Sequence, residues 1–106
     1  MIKNLTDENF IDFIESSTKP IIVDFWASWC VPCKMQSSIF EKLDEELGDK
    51  IECCKLNVDE NTQIASAFQI SSIPTLFVIN DKKIVEAKVG VHELDQLKEL
   101  VSKYIK

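Results

Sequence analysis

Two cysteines separated by two residues, Cys30 and Cys33, stand just after an apolar run and at the head of a helical pattern. That spacing lets two sulfurs close into a disulfide and open again, which is the chemistry of dithiol exchange. The exchange needs a thiolate in line with a disulfide, so the attacking cysteine must be reachable and its pKa lowered. Cys30 meets both needs if the helix starts beside it. Unpaired N–H groups of a first turn carry partial positive charge, and Lys34 adds a nearby cation. Cys33, one turn further in, is expected to be more shielded and to resolve the mixed disulfide by attacking Cys30. Pro32 suits a first turn, where it costs no helical hydrogen bond.

The same two thiols could hold zinc, but a closed structural site wants four ligands. The other donors are Cys53, Cys54 and the lone His92. Cys53 and Cys54 are neighbours on a predicted strand, so their side chains point to opposite faces and cannot both reach one metal. They read as small buried apolar residues, and no metal is expected.

The elements that must position the dithiol are legible on both sides of it. Ile21 to Ala27 is β-branched and aromatic, broken only by Asp24, and reads as a strand. After Cys33, Met35, Ile39, Leu43 and Leu47 recur every four positions, with Phe40 widening the stripe and Gly48 as the stop. Ahead of the strand, Ile2 to Leu5 reads as a short strand. Thr6 then caps a helix with Asp7 and Glu8 in its first turn and Phe10, Phe13 and Ile14 on one face. Ile51 to Val58 reads as a third strand and Gln63 to Phe68 as a short helix. Thr75 to Ile79 and Ile84 to Val89 read as a hairpin turned by Asn80 to Lys83. A closing helix carries Leu94, Leu97, Leu100, Val101, Tyr104 and Ile105. The order β-α-β-α-β-α-β-β-α predicts an α/β fold, a central mixed sheet of about five strands flanked by four helices. Residues 1–106 form one domain, with no repeat or linker.

Asp24 has apolar same-face neighbours, Ile22 and Trp26, on what should be a central, buried strand. Desolvation there raises a carboxyl pKa, and a group so tuned can take the Cys33 proton during resolution. Lys55, on the third strand, is its expected charge partner. Pro74, just before a strand, is read from the residues as either a strand-start proline or a cis proline in a tight bend. Trp29 is either an exposed contact surface or a core residue.

Composition narrows the class further. A net charge of -6, with no basic cluster, argues against tracking phosphates, so no nucleic-acid partner is expected. No apolar run reaches membrane-span length, so no membrane partner is expected. Met1 leads into Ile2, Lys3 and Asn4 without the basic and apolar blocks of an export signal, which points to a cytoplasmic location. In a reducing compartment a Cys-x-x-Cys pair is usually catalytic or metal-binding.

Taken together, these residues resemble the thioredoxin family over essentially the whole chain. Phe25 to Met35 is similar to the family's active-site block, and Lys55 to Asp59 to its third strand. Ile73-Pro74-Thr75 is similar to its cis-proline loop, and Lys88-Val89-Gly90 to the turn before its last helix. The resemblance implies a thioredoxin fold and a general protein dithiol–disulfide reductase with no cofactor beyond a reversible Cys30–Cys33 disulfide. It implies a monomer serving disulfide-containing target proteins and re-reduced by a thioredoxin reductase. By position, Cys30 resembles the nucleophile, Cys33 the resolving thiol, Asp24 the buried acid–base residue, Lys55 its partner and Pro74 a cis proline facing the dithiol. Trp29, Val31, Pro32, Ser72, Ile73, Val89, Gly90 and Val91 resemble the surface that docks substrate backbone. The alternative is an interaction or assembly subunit of the same fold, with redox activity secondary.

The chain also departs from the family pattern. Val31 stands where glycine is usual, and it is expected to keep the extended conformation a residue before proline prefers. Ser72 replaces a usual glycine beside the groove. Ser38 replaces a usual helix-kinking proline.

Overall fold

The Ile21–Trp26 strand organises the molecule, because its first five residues are buried and a strand buried on both faces must be central. The structure, a computed structural model, describes residues 1–106. In chain order the first elements are β1 (Lys3–Asn4), α1 (Phe10–Ser16), β2 (Ile21–Trp26), α2 (Val31–Leu47) and β3 (Glu52–Asn57). They are followed by α3 (Thr62–Ala67), β4 (Thr75–Asn80), β5 (Lys83–Val89) and α4 (Leu94–Ser102). The strand order is β1-β3-β2-β4-β5. β2 runs parallel to β3 and antiparallel to β4, so the sheet is mixed, with four helices around it.

Alternation along β2 feeds two separate cores. Ile21, Val23 and Phe25 pack with Phe10, Ile14, Cys54, Leu56 and Ile64 on one face. Ile22 packs with Phe40, Leu43, Cys53, Leu97 and Val101 on the other. Cys53 and Cys54 therefore enter opposite cores, as their adjacency on a strand requires. Asp24 shares the face of Ile22 and is fully buried. No helix is long and apolar enough to cross a membrane.

Several local expectations shift. The buried face of α2 is Cys33, Gln36, Phe40 and Leu43, while Met35 is 59% exposed. A line of residues spaced by four drifts around a helix of 3.6 residues per turn, so Met35 at the head of the stripe lies off the core while Ile39, Leu43 and Leu47 pack on it. Helix α1 begins at Phe10, a turn later than Thr6 suggested. Thr6 still makes a reciprocal cap, its hydroxyl accepting the Asn9 N–H while the Asn9 side chain accepts the Thr6 N–H. Asp7 serves another helix: its carboxylate accepts the N–H groups of Gln63 and Ile64 at the start of α3. Within the hairpin, Asp81 and Lys82 have φ of 51° and 67°, the two-residue turn that matches strand twist.

Candidate functional site

Strand β2 delivers the dithiol to the surface and helix α2 starts on it. The Cys30 N–H donates to the Ala27 carbonyl at 3.2 Å, closing the turn after β2. Cys30 is the extended N-cap of α2 (φ -91°, ψ 110°), and its Sγ accepts the Cys33 N–H at 3.2 Å. The capping sulfur thus takes one of the orphan donors that a hydroxyl or carboxylate usually takes. Cys30 and Cys33 form a disulfide across a Cα–Cα distance of 5.2 Å. Val31 opens the helix instead of staying extended, a correction to its expected conformation. The extended residue is Cys30, one position earlier, and Pro32 in the first turn gives up no helical hydrogen bond.

The expected contrast between an open Cys30 and a shielded Cys33 is not present in this disulfide form. They are 4% and 2% exposed, because Ala27, Trp26, Val58 and Ile73 close around them. Their sequence neighbours are open to solvent, with Trp29 68% and Val31 66% exposed. The sulfurs thus lie directly beneath an apolar rim. Trp29 is not a core residue, and its indole N–H donates to Asp59 Oδ2 at 2.8 Å, which fixes the ring's polar edge.

Asp24 is buried with neither carboxylate oxygen hydrogen-bonded. Burial pushes its pKa up to about 7, against an opposing pull from the Lys55 charge. Asp24 and Lys55 face each other in register across β2 and β3, yet they form no ion pair. The Lys55 ammonium instead donates to the Ser37 hydroxyl at 2.6 Å and lies 4.8 Å from the Trp26 ring centroid. A hydroxyl and a π face satisfy the cation without drawing it into the core beside Asp24. A cavity of about 220 Å³ lies alongside, bounded by Cys33, Lys34, Ser37, Lys55, Trp26, Ala27 and Ser28. It has room for several waters beside the buried sulfur. A larger cavity of about 450 Å³, lined mainly by Phe10, Ile14, Phe68 and Ile79, belongs to the other side of the sheet and holds none of these groups.

The remaining site residues come from two loops. The Ile73–Pro74 peptide is cis, and the Ile73 carbonyl is 3.8 Å from Cys30 Sγ. Ser72 is exposed, and its carbonyl accepts the Thr75 hydroxyl. The Gly90 N–H donates to the Pro74 carbonyl at 2.8 Å, which draws Val89, Gly90 and Val91 alongside the proline loop. Gly90 has φ +93°, a conformation that L side chains rarely adopt. Ser37 and Gln36 join the site from outside the residues its motifs mark, and Asp59, at the end of the third-strand motif, joins it through Trp29. Gln36 is wholly buried, with its amide on the main chain of His92. Its signal was available, a polar residue three after Cys33 and four before Phe40 on a face otherwise apolar.

Comparison with known proteins places this geometry. The thioredoxin family model matches residues 1–103. A thioredoxin of Bacillus subtilis is 43% identical over 104 residues, covering 98% of each chain. A thioredoxin of Rickettsia bellii is 38% identical over 105 residues, covering 99% of this chain and all of that one. A crystal structure of chloroplastic thioredoxin z superposes with a TM-score of 0.88 at 27% identity, over 96% of this chain and 92% of that one. These likenesses favour the oxidoreductase over the interaction subunit. With its disulfide at the start of α2 and its full-length match, the chain belongs to the thioredoxin family and is a general protein dithiol–disulfide oxidoreductase.

Proposed function

We propose that Cys30 is the nucleophile and Cys33 the resolving thiol of this reductase, with Asp24 as the proton acceptor. In the reduced protein the Cys30 thiolate attacks one sulfur of a target disulfide. The target's S–S bond breaks, a Cys30–target disulfide forms and the first target sulfur leaves as a thiolate. Asp24 then takes the Cys33 proton, relayed through water, and the Cys33 thiolate attacks Cys30. The second target sulfur leaves, so the target has gained two electrons and the protein carries the Cys30–Cys33 disulfide. The observation that carries this reading is Cys30 Sγ on the Cys33 N–H at the helix start, where a negative sulfur is stabilised. Asp24, buried and poised at about 7, supports the base role, and Lys55 tunes it through space.

Target backbone docks in the groove formed by Trp29, Val31, Pro32, Ser72, Ile73, Pro74, Val89, Gly90 and Val91. An extended segment pairs with main-chain groups beside Ile73, which suits a reductase of many sequences. The site is complete in one copy of residues 1–106, which supports a single domain acting as a monomer. The disulfide is the whole redox apparatus, so no further cofactor is needed, and a thioredoxin reductase restores the dithiol. The unpaired thiols Cys53 and Cys54 suit a reducing, cytoplasmic setting. Cys33→Ser tests the division of labour. This variant should accumulate a covalent adduct with a disulfide-bearing protein that dithiothreitol releases; failure to form any adduct removes Cys30 as nucleophile.

A further inference from the structure

Gln36 is a primary amide with no exposure, placed three residues past Cys33 on the buried face of α2. Burying an amide is unfavourable unless its donor and acceptor are both used. Here both are used on one residue, 56 positions away. Gln36 Nε2 donates to the His92 carbonyl at 3.1 Å, and Gln36 Oε1 accepts the His92 N–H at 2.7 Å. His92 lies between β5 and α4, outside any strand or helix, where its main-chain groups have no ladder to join. From His92 the contacts continue toward the sulfurs. His92 Nδ1 lies 2.9 Å from the Gly90 carbonyl, and the Gly90 N–H donates to the Pro74 carbonyl at 2.8 Å. The neighbouring Ile73 carbonyl faces Cys30 Sγ. These contacts, joined by the backbone between them, lead from the helix that carries Cys33 to the loop that faces Cys30.

We propose that Gln36 is a positioning residue for target docking, latching the Gly90–His92 segment to the helix that carries Cys33. The proposal rests on the reading of Ile73 and Val89 to Val91 as the docking groove. An apolar side chain of similar length would fill the same space and leave that segment untied. The paired amide adds a fixed distance between the two walls of the groove. Small disulfides need only the sulfurs, whereas a protein target must also lay its backbone between those walls.

The test compares Gln36→Met with the unsubstituted protein, both kept reduced by dithiothreitol, on a protein disulfide and on a small aromatic disulfide. The variant should lose about tenfold in kcat/KM on the protein substrate, mainly through KM, and stay within about twofold on the small one. An equal loss on both, or none on the protein, overturns the latch. Val89→Asp separates the two readings. If it leaves the protein substrate unaffected, the groove itself is misplaced; if it lowers that rate while Gln36→Met does not, only the latch fails. Should Gln36→Met not fold, amide hydrogen exchange in the unsubstituted protein decides. The His92 N–H should exchange at least about 100-fold slower than a free loop amide, and exchange at the free rate overturns the proposal.

Discussion

The chain carries two close pairs of cysteines, and they meet opposite fates. Cys30 and Cys33 sit where a strand ends and a helix begins, joined as a disulfide, with the Cys33 N–H aimed at a sulfur. Cys53 and Cys54 sit mid-strand, free, and enter separate cores. Burial, with Asp44 and Glu52 nearby, pushes the Cys53 thiol up to about 12; Cys54 is raised too, first by burial and then by the charge of Glu52. All four side chains are nearly inaccessible, so exposure does not separate the pairs. Backbone geometry does. A helix start gives one sulfur an N–H donor and lets its neighbour come within bonding range, whereas a pleated strand sends adjacent sulfurs apart.

The most severe way to break the contrast is Cys30→Ser, which should lower turnover of a generic disulfide substrate by at least about 10³-fold. Cys53→Ala with Cys54→Ala should leave that turnover within about twofold in the same assay. Alkylation of the reduced native protein at pH 7 sharpens it next. Cys53 should react at least about 10³-fold more slowly than Cys30, in proportion to its scarce thiolate, and unfolding should erase the difference. Mass mapping of the labelled cysteines reads this out.

Asp24→Asn carries the contrast into proton transfer. Resolution of the mixed disulfide should slow by about 10²-fold while its formation changes little, and the rise of resolution rate through pH 7 should flatten. The stability effect has a definite sign. The Asp24 pKa is higher folded, about 7, than the ordinary carboxyl value of 3.8. The folded state therefore holds the extra proton between those values, and stability falls as pH rises across that window. Asp24→Asn should be more stable than the parent above pH 7, by up to about 4 kcal/mol, with the gain vanishing near pH 4. Denaturant unfolding at both pH values measures it. The mildest change is Cys53→Ala or Cys54→Ala alone, each costing about 1 kcal/mol in the same unfolding assay because a small apolar group leaves a packed core.

Much of this was legible because strong local signals agreed with the tertiary answer. The β2 run, the proline and cysteines at the α2 start, and the turn residues before β5 each fix a backbone state within a few residues. The details that escaped depend on partners far along the chain. Asp7 reads as an acid for its own helix, and only folding shows that α3 takes it, 57 positions on at Ile64. Lys55 reads as the partner of Asp24, but the Ser37 hydroxyl competes for its ammonium. The apolar stripe marks Phe40 and Leu43 on the buried face of α2, but a polar Gln36 on that same face carries no apolar signal.

The opening stretch of the chain has a reach that its own two-residue strand does not suggest. The Asp7 main chain donates to Asn61, its carboxylate holds the front of α3, and Asn61 in turn grips the Asn57 carbonyl. Asn57 gathers the N–H groups of Asp59 and Glu60, and Asp59 holds Trp29. A truncation that removes Asp7 would thus slacken, by relay, the tryptophan at the reactive tip, whereas a tag spliced ahead of Met1 leaves every link in place.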